Sequence, residues 1–534
     1  MKRYITDILI FFFGILLLIT YNYQTDLAPI ERLNIIILVA FWFSLRLLSF
    51  CFKKSERLIV CILTLWGVIE AIWGLGQLYD ILPSGHHIFK ITGSFFNPGP
   101  YGGFVALFLP FSLHYWLFYR KVNTKVSYIF LIVITLSLLI LPATLSRTAW
   151  ISAVVGCTVV LFFQQETKTF WKRIRKKRFF VPLLGVIFFI LIGGLFLGYH
   201  LKKDSANGRF FMWKISLLAS EKSLLRGDGL GSFPKSYAEA QMEYFSQNVA
   251  SEAEKRVAGS PEYAFNEYLR LLVEQGFWGL VIFLIISTLI IQKGIKNNQL
   301  GAVGAFISLS VFAFASYPYY LWQFLAIWVL LGALCLHSQE DIRKVTKQNY
   351  VLVVFLLIIP TSIISFCFFE KNKYLQAEKK WKSLQYLHKM KYYNQISEDY
   401  ESLYRMLNYD PKFVFEYAIL LNAIQEREKA NDVLQRGLLI SCDPMFYNLQ
   451  GRNYHEMKDF TNAEMALKKS LSLLPKRIYP HYLLTKLYAN SDNYQPEKMK
   501  ESARNVLENK AKVHSVAIDE MRREVCSILK EKAP

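Results

Sequence analysis

Long uncharged runs recur through the first two-thirds of this 534-residue chain, and they limit its possible folds more than any other feature. They cover about 8–20, 34–52, 58–80, 99–119, 126–142, 147–163, 179–199, 268–291, 301–317, 320–337 and 350–369. Each is near the roughly twenty residues that a helix needs to cross a bilayer core. Only helices satisfy their own backbone hydrogen bonds in lipid over such lengths. The chain is therefore read as all-α: a polytopic membrane protein of about eleven transmembrane helices over 1–369, then a polar α-solenoid over 370–534. Met1-Lys2-Arg3 and the apolar stretch after it have the look of a signal peptide. No small-residue cleavage site follows, so a retained first helix is expected.

A formal charge of +21 would suit a nucleic-acid partner, but the placement of the charges points elsewhere. With a cytoplasmic N-terminus, about twenty Lys and Arg fall in the inner segments. They include Lys53, Lys54, Arg57, Arg120, Lys121, Lys125, Lys293 and Lys296, with a cluster between Lys168 and Arg178. About three, Arg32, Lys90 and Arg147, fall in the short outer segments. This is the positive-inside asymmetry of a membrane protein, with anionic lipid as the partner of the basic excess and no nucleic acid. The seven cysteines are scattered without a C-x-x-C pair, and the nine histidines show no zinc spacing, so no metal and no cofactor is expected.

Two regions break the apolar pattern. Residues at about 200–262 form a long polar segment, expected as a large loop on the outer face; its spaced glycines and aromatics argue against disorder. After 369 the chain becomes Lys/Glu-rich and amphipathic. There Gly451, Tyr454, Ala463, Leu467, Ser470 and Pro475 stand where a tetratricopeptide repeat places Gly, Tyr, Ala, Phe, Ala and Pro. Tyr488 lies one 34-residue period after Tyr454, and Ala430, Leu434 and Gly437 suggest an earlier copy. Three or four helix pairs are expected, with small residues where helices touch. The 28 basic and 22 acidic side chains over 370–534 are too nearly balanced to name an anionic partner.

Several residues invite a chemical reading. Arg147, in Ser146-Arg147-Thr148 at the outer end of a span, either snorkels to the interface or clamps a phosphate with its planar fork. Arg209, in Gly208-Arg209-Phe210-Phe211 with Trp213 and Lys214 after it, belongs either to an interfacial aromatic belt or to a second anion contact. Gly227-x-Gly229-x-Gly231 follows no strand, so a dinucleotide fingerprint is rejected in favour of tight-turn glycines. Glu70, inside the third span with Gln77 beyond it, is either functional or a satisfied structural group. The segment Thr92-Gly93-Ser94-Phe95-Phe96-Asn97-Pro98 reads as a turn entering a helix, whose free N–H groups suit an anion.

These landmarks together resemble the O-antigen ligase/polymerase family of bacterial membrane glycosyltransferases over about residues 1–340. The resemblance is carried by the Gly-Ser-Phe-Phe-Asn-Pro turn, Ser146-Arg147-Thr148, Gly208-Arg209 and the helix with Asn266 and Glu274-x-Gly276-x-x-Gly279. It implies a multi-pass protein of the bacterial inner (cytoplasmic) membrane with its C-terminal domain in the periplasm. Such a protein moves a glycan from undecaprenyl pyrophosphate to lipid A core, another glycan or a protein hydroxyl, without a metal. A polymerase of lipid-linked repeat units is the nearest alternative. A transporter or a non-catalytic anchor would be the alternative of another class. Some members carry C-terminal tetratricopeptide repeats, through which a protein partner would dock. Arg147 and Arg209 would stabilise the leaving diphosphate. The family's usual His before the Asn is Phe265 here, so Glu267 and Glu262 stand as substitute bases. Asn266, Trp213, Lys214, Asn97, Glu70 and Glu274 are the expected substrate contacts.

Overall fold

A computed structural model describes residues 4–20, 27–52, 54–164, 203–247, 250–338, 347–511 and 514–531. Among them all regular structure is helical. The membrane part contains α1 (Ile5–Ile19), α2 (Pro29–Cys51), α3 (Ser55–Leu78), α4 (Pro98–Val122), α5 (Thr124–Ala143) and α6 (Arg147–Phe163). After the polar segment come α10 (Glu267–Lys296), α11 (Leu300–Ala313) and α12 (Trp322–Cys335), then the long α13 (Lys347–Lys389). Of these, α2, α3, α4, α5, α10 and α13 are long and apolar enough to cross a membrane. The shorter apolar helices α1, α6, α11 and α12 have 14 to 17 residues, below the expected twenty. In α11 and α12 the missing length is used by a turn over 314–321, which lies beneath the candidate site. These ten helices match ten of the eleven expected runs; 179–199 lies outside the described residues.

The central helix is α4, whose Tyr101, Phe104, Val105, Phe108 and Phe111 are all buried. Small residues set the closest crossings, as expected where helices must approach without a hydrophobic drive. A Cβ at Gly156 of α6 would stand 2.6 Å from the carbonyl oxygen of Gly304 in α11. Charges inside the bundle are paired. Arg46 of α2 meets Asp7 of α1 at 3.0 Å, and the Trp42 indole N–H donates to the same carboxylate.

The two ends of the bundle differ. At one end Gln299 donates to Glu56, and Asn297 donates to the carbonyl of Cys335, near the basic residues Arg57, Arg120, Lys121, Lys125, Lys293 and Lys296 that begin or finish these helices. The other end carries the starts of α2, α4, α6 and α10 and all of the polar segment. That segment is not the irregular loop its composition suggested. It folds into α7 (Lys203–Glu221), α8 (Phe233–Ser246) and α9 (Glu252–Val257). A capping box of Ser251 and Glu254 starts α9. Lys214 of α7 donates to Tyr244 of α8 and Glu254 of α9, tying the three together.

One contact fixes this unit to the membrane. At Gly276, α10 is interrupted by a non-helical residue with φ 66° and ψ −171°. The backbone groups freed there are taken up by the segment ahead of α8. Asp228 N–H donates to the Val273 carbonyl and Gly229 N–H to the Glu274 carbonyl, both at 2.9 Å, while Phe277 N–H donates to the Leu224 carbonyl at 2.7 Å. Gly227, Gly229 and Gly231 all have φ between 73° and 97°. The spaced glycines are thus left-handed turn positions that let backbone dock on backbone.

Beyond the membrane α13 continues without a break through position 370, where the composition changes, and forms the first layer of the C-terminal domain. Its Lys371 reaches Asn34 of α2, and its Trp381 donates to Glu416. There follow α14 (Tyr393–Leu407), α15 (Pro411–Ala423), α16 (Arg427–Ile440), α17 (Met445–Glu456), α18 (Phe460–Leu473), α19 (Ile478–Ala489), α20 (Pro496–Glu508) and α21 (Val516–Glu531). The polar end of α13 pairs with α14, then α15 with α16, α17 with α18 and α19 with α20, and α21 covers the last pair. Helices touch at small residues: a Cβ at Gly451 would meet Leu467 at 2.6 Å, and one at Gly437 would overlap Phe446. Helix α8 docks against α16 and α18. Gln241 donates to the Leu473 carbonyl, and the Cys442 thiol donates to the Pro261 carbonyl.

Gly227→Ala would place a Cβ 2.4 Å from Glu274 backbone atoms in a left-handed conformation. The conformation alone costs about 1–2 kcal/mol, so thermal unfolding of the detergent-solubilised protein should shift down clearly. Gly259→Ala, whose Cβ would meet open space, should leave it unchanged. The α9 contact should be acid-sensitive. Burial raises the Glu254 carboxyl, but hydrogen bonds from Lys214, Ser251 and Tyr244 outweigh this and hold it at about 2. A carboxylate depressed in the folded state stabilises it above the ordinary carboxylate range and loses that contribution as pH falls toward the folded value. Amide protection over 251–257, corrected for intrinsic exchange, should fall between about pH 5 and 3. Lys214→Ala should lower it already at neutral pH.

Candidate active site

The first arginine is held by packing around a tight turn. After α5 the chain turns through Leu145 at φ 51°, and α6 starts at Arg147. The Thr144 hydroxyl donates to the Leu141 carbonyl at 2.7 Å. Gly102 of α4 lies so close that a Cβ there would stand 2.7 Å from the Thr144 hydroxyl. Arg147 is half-buried at this corner. Arg209, on α7, donates to the Ala315 carbonyl at 2.9 Å, and its guanidinium lies 5.2 Å from the Phe265 ring centre. Its pKa is shifted below the usual arginine value, first by burial and second by the positive charge of Arg147, with Tyr317 opposing. The two guanidiniums are therefore electrostatic neighbours although they come from different helices. Two like charges in a half-buried place are relieved by an anion between them, and a planar fork suits phosphate oxygens.

Aromatic rings lie beside Arg209. Tyr263 stacks on Tyr317 with centres 4.3 Å apart, and Tyr317 also meets Phe265 at 5.1 Å and Phe96 at 6.4 Å. Tyr263 continues the row to Tyr320 at 4.8 Å. Trp213 packs edge-on against Phe210 and Phe314. Behind Arg209 lies a cavity of about 330 Å³ lined by Phe211, Tyr237, Pro261 and Phe265 among others. Glu262 is exposed at the rim. Burial and then the Glu262 charge push the Tyr263 phenol up to about 12, and the same carboxylate helps to raise Tyr317, which places it beside the aromatic row.

The other carboxylate considered as a base is placed differently. Glu267 opens α10 and is 1% exposed; its two oxygens accept from Arg270 and from the Tyr319 N–H, both at 2.8 Å. It fastens α10 to the 314–321 turn. Asn266 caps α10, its side-chain oxygen accepting from Tyr268 and Leu269 N–H. Asn97 caps α4 through Gly99 N–H. Glu70 is buried and accepts from the backbone and hydroxyl of Ser94, while Gln77 accepts from Thr92 and Gly93 N–H. Both polar residues of the third span thus shape the 92–97 turn that presents Phe96 to Tyr317. Lys214 points to α8 and α9. Arg209 lies on Phe265 and within electrostatic reach of Arg147, and Glu262 acts on Tyr263 and Tyr317 of the same aromatic row, whereas Glu70, Asn97, Asn266, Glu267 and Lys214 build the frame around it.

Sequence reading missed Arg270 and Glu31. Arg270 is 7% exposed, lies over the Tyr320 ring at 4.2 Å and faces Glu31 at 3.6 Å and Glu274 at 3.7 Å. Glu267, Arg270 and Glu274 follow the i, i+3 and i+7 spacing of one helix face. An arginine at the head of an apolar run is the signal that could have marked the cluster.

Among the described residues no group of His, Cys, Asp and Glu could hold a metal ion. No curated protein and no solved structure matches the chain. Residues 132–284 match the model of a family described as O-Antigen ligase, a span from α5 to within α10 that contains Arg147, Arg209, Glu262 and Glu274 but not Glu70 or Asn97. This stretch of the chain is similar to membrane glycosyltransferase-like enzymes.

Proposed function

We propose that this protein transfers a glycan from undecaprenyl pyrophosphate to an acceptor hydroxyl, on lipid A core or a protein, at the outer face of the bacterial inner membrane. The observation that carries the proposal is Arg209 lying on the Phe265 ring of an aromatic row within electrostatic reach of Arg147, in a stretch that matches the O-antigen ligase model. The acceptor oxygen bonds to the anomeric carbon as the bond from that carbon to the diphosphate oxygen breaks. The two guanidiniums stabilise the charge gathering on the diphosphate, and fixed charges of this kind need no rearrangement during the reaction. Glu262 is the candidate to take the acceptor proton, since it is exposed at the rim of the aromatic row while both oxygens of Glu267 are engaged. The rings of Phe96, Tyr263 and Tyr317 offer apolar faces for sugars. The basic residues at the opposite end of the bundle support an outward-facing site. We read the C-terminal helix pairs as tetratricopeptide-like; they brace α8, and their remaining faces are where a protein partner would dock.

Arg147→Ala and Arg209→Ala are each expected to lower glycan transfer by about 10²–10³-fold, with the protein still folded and membrane-inserted. Glu262→Gln should lower it by about 10²–10⁴-fold. The readout is mass spectrometry of surface glycoconjugates in cells carrying each variant, which also tells loss of sugar from lipid or protein apart from shortened polymer. Since guanidiniums supply the positive charge, transfer by the purified protein should persist in a chelator. Wild-type transfer in both arginine variants would remove the proposal.

A further inference from the structure

A second cavity lies between α1, α2, α10 and α12, on the far side of the aromatic row from Arg147 and Arg209. Its volume, about 150 Å³, is that of a dry cavity able to take a benzene-sized apolar group. Phe13, Leu17, Leu38, Ile286 and Val329 form its apolar wall. Leu17 and Leu38 are only half-buried, so the cleft lies at the lipid-facing edge of the bundle. Its polar end is formed by Glu31, Arg270, Glu274 and Gln275.

Two side-chain atoms at that end are left over. Glu274 is 1% exposed and Gln275 2% exposed, yet Glu274 Oε1 and Gln275 Nε2 have no hydrogen-bond partner. The other Glu274 oxygen faces Arg270, the Phe233 backbone N–H also acts on this carboxyl group, and Gln275 Oε1 accepts from the Thr20 hydroxyl at 2.7 Å. Burying such atoms unpaired costs more than an average hydrogen bond contributes, so they mark a place where a partner is expected. Charge narrows its chemistry. Glu31, Glu267 and Glu274 already engage the single guanidinium of Arg270, whose face lies on the Tyr320 ring, which leaves that cation no free fork for a phosphate. A hydroxyl, in contrast, donates to a carboxylate oxygen and accepts from an amide N–H, which satisfies both leftover atoms.

We infer that this cleft is a second lipid site, which takes a hydrocarbon chain along its wall and a hydroxyl, not a phosphate, at Glu274 and Gln275. The inference does not depend on the transfer reaction. It divides the outer end of the bundle into a cationic place for an anionic head and an acidic place for a lipid with a neutral one.

The test is native mass spectrometry of the detergent-solubilised full chain with dioleoylglycerol or dioleoyl phosphatidic acid, which share acyl chains and differ in hydroxyl against phosphate. Dioleoylglycerol should be retained at least tenfold better. Gln275→Leu, which removes the amide donor, and Leu38→Trp, which fills the wall, should each reduce its retention about tenfold. Thermal unfolding of both variants checks that they fold. Equal retention of the two lipids, preference for phosphatidic acid, or unchanged retention in folded variants would overturn the inference. The comparison of head groups in the unaltered protein decides even if a variant fails to fold. Arg147→Ala should retain dioleoylglycerol normally, so failure of the transfer proposal and failure of this one remain distinguishable.

Discussion

The exchange of backbone hydrogen bonds at Gly276 is the contact on which the outer half of the molecule depends. A membrane helix can open its own ladder only where other groups satisfy what is freed. Here the segment from Leu224 to Gly229 does so, from outside the bundle. The break lets the polar helices α7 to α9 sit at a fixed height over α10, and so brings Arg209 down to the corner where Arg147 begins α6. It also turns Glu274 and Gln275 into the cleft beside α1 and α2. Both places of chemical interest therefore rest on one irregular turn, made possible by glycines on both sides of the contact.

Opposite charges are kept apart around that turn. Arg209 has the charge of Arg147, the Ala315 carbonyl and the Phe265 ring for neighbours, whereas Arg270 is enclosed by carboxylates and the Tyr320 ring. Tyr263, stacked on Tyr317 and edge-on to Tyr320, stands with them between the groups as a partition. In a half-buried setting of low dielectric, a buried carboxylate such as Glu267 paired with these guanidiniums would neutralise them, an effect that solvent weakens for Glu262 at the exposed rim. Engaging Glu267 with Arg270 and the Tyr319 N–H avoids this. The carboxylate at the start of α10 serves the frame, and Phe265 just before it supplies a ring face to Arg209.

Much of the architecture was legible because lipid leaves few choices. The apolar runs named ten described helices, and the small residues at 437, 451 and 463 announced where the later helices touch. The polar segment was not legible as three helices, since its amphipathic faces pack on one another and on α16 and α18 rather than on a nearby stretch of sequence. The site was legible in part. Arg147 and Arg209 stand out as cations in aromatic or apolar surroundings, and the structure makes them neighbours. Asn97, Asn266 and Glu70 also stand out, but helix caps and buried turn anchors draw on the same residue types as ligand contacts. Only the partner atoms tell these uses apart. Arg270 was hidden by the run it opens, because its partners are Glu31, far away in sequence, and the aromatic ring of Tyr320.

Helix α13 spans 43 residues without a break, which at 1.5 Å per residue gives a rod of about 65 Å. It leaves the bilayer beside α2 and becomes the first layer of the domain that holds α8, while α8 leads back through the glycine turn to α10 and from Arg270 to Glu31 of α2. Protein thus closes a circuit between the membrane helices and the C-terminal domain, with no flexible tether at the crossing. A load applied to the far domain would be felt at the bend in α10 as torque about a stiff axle.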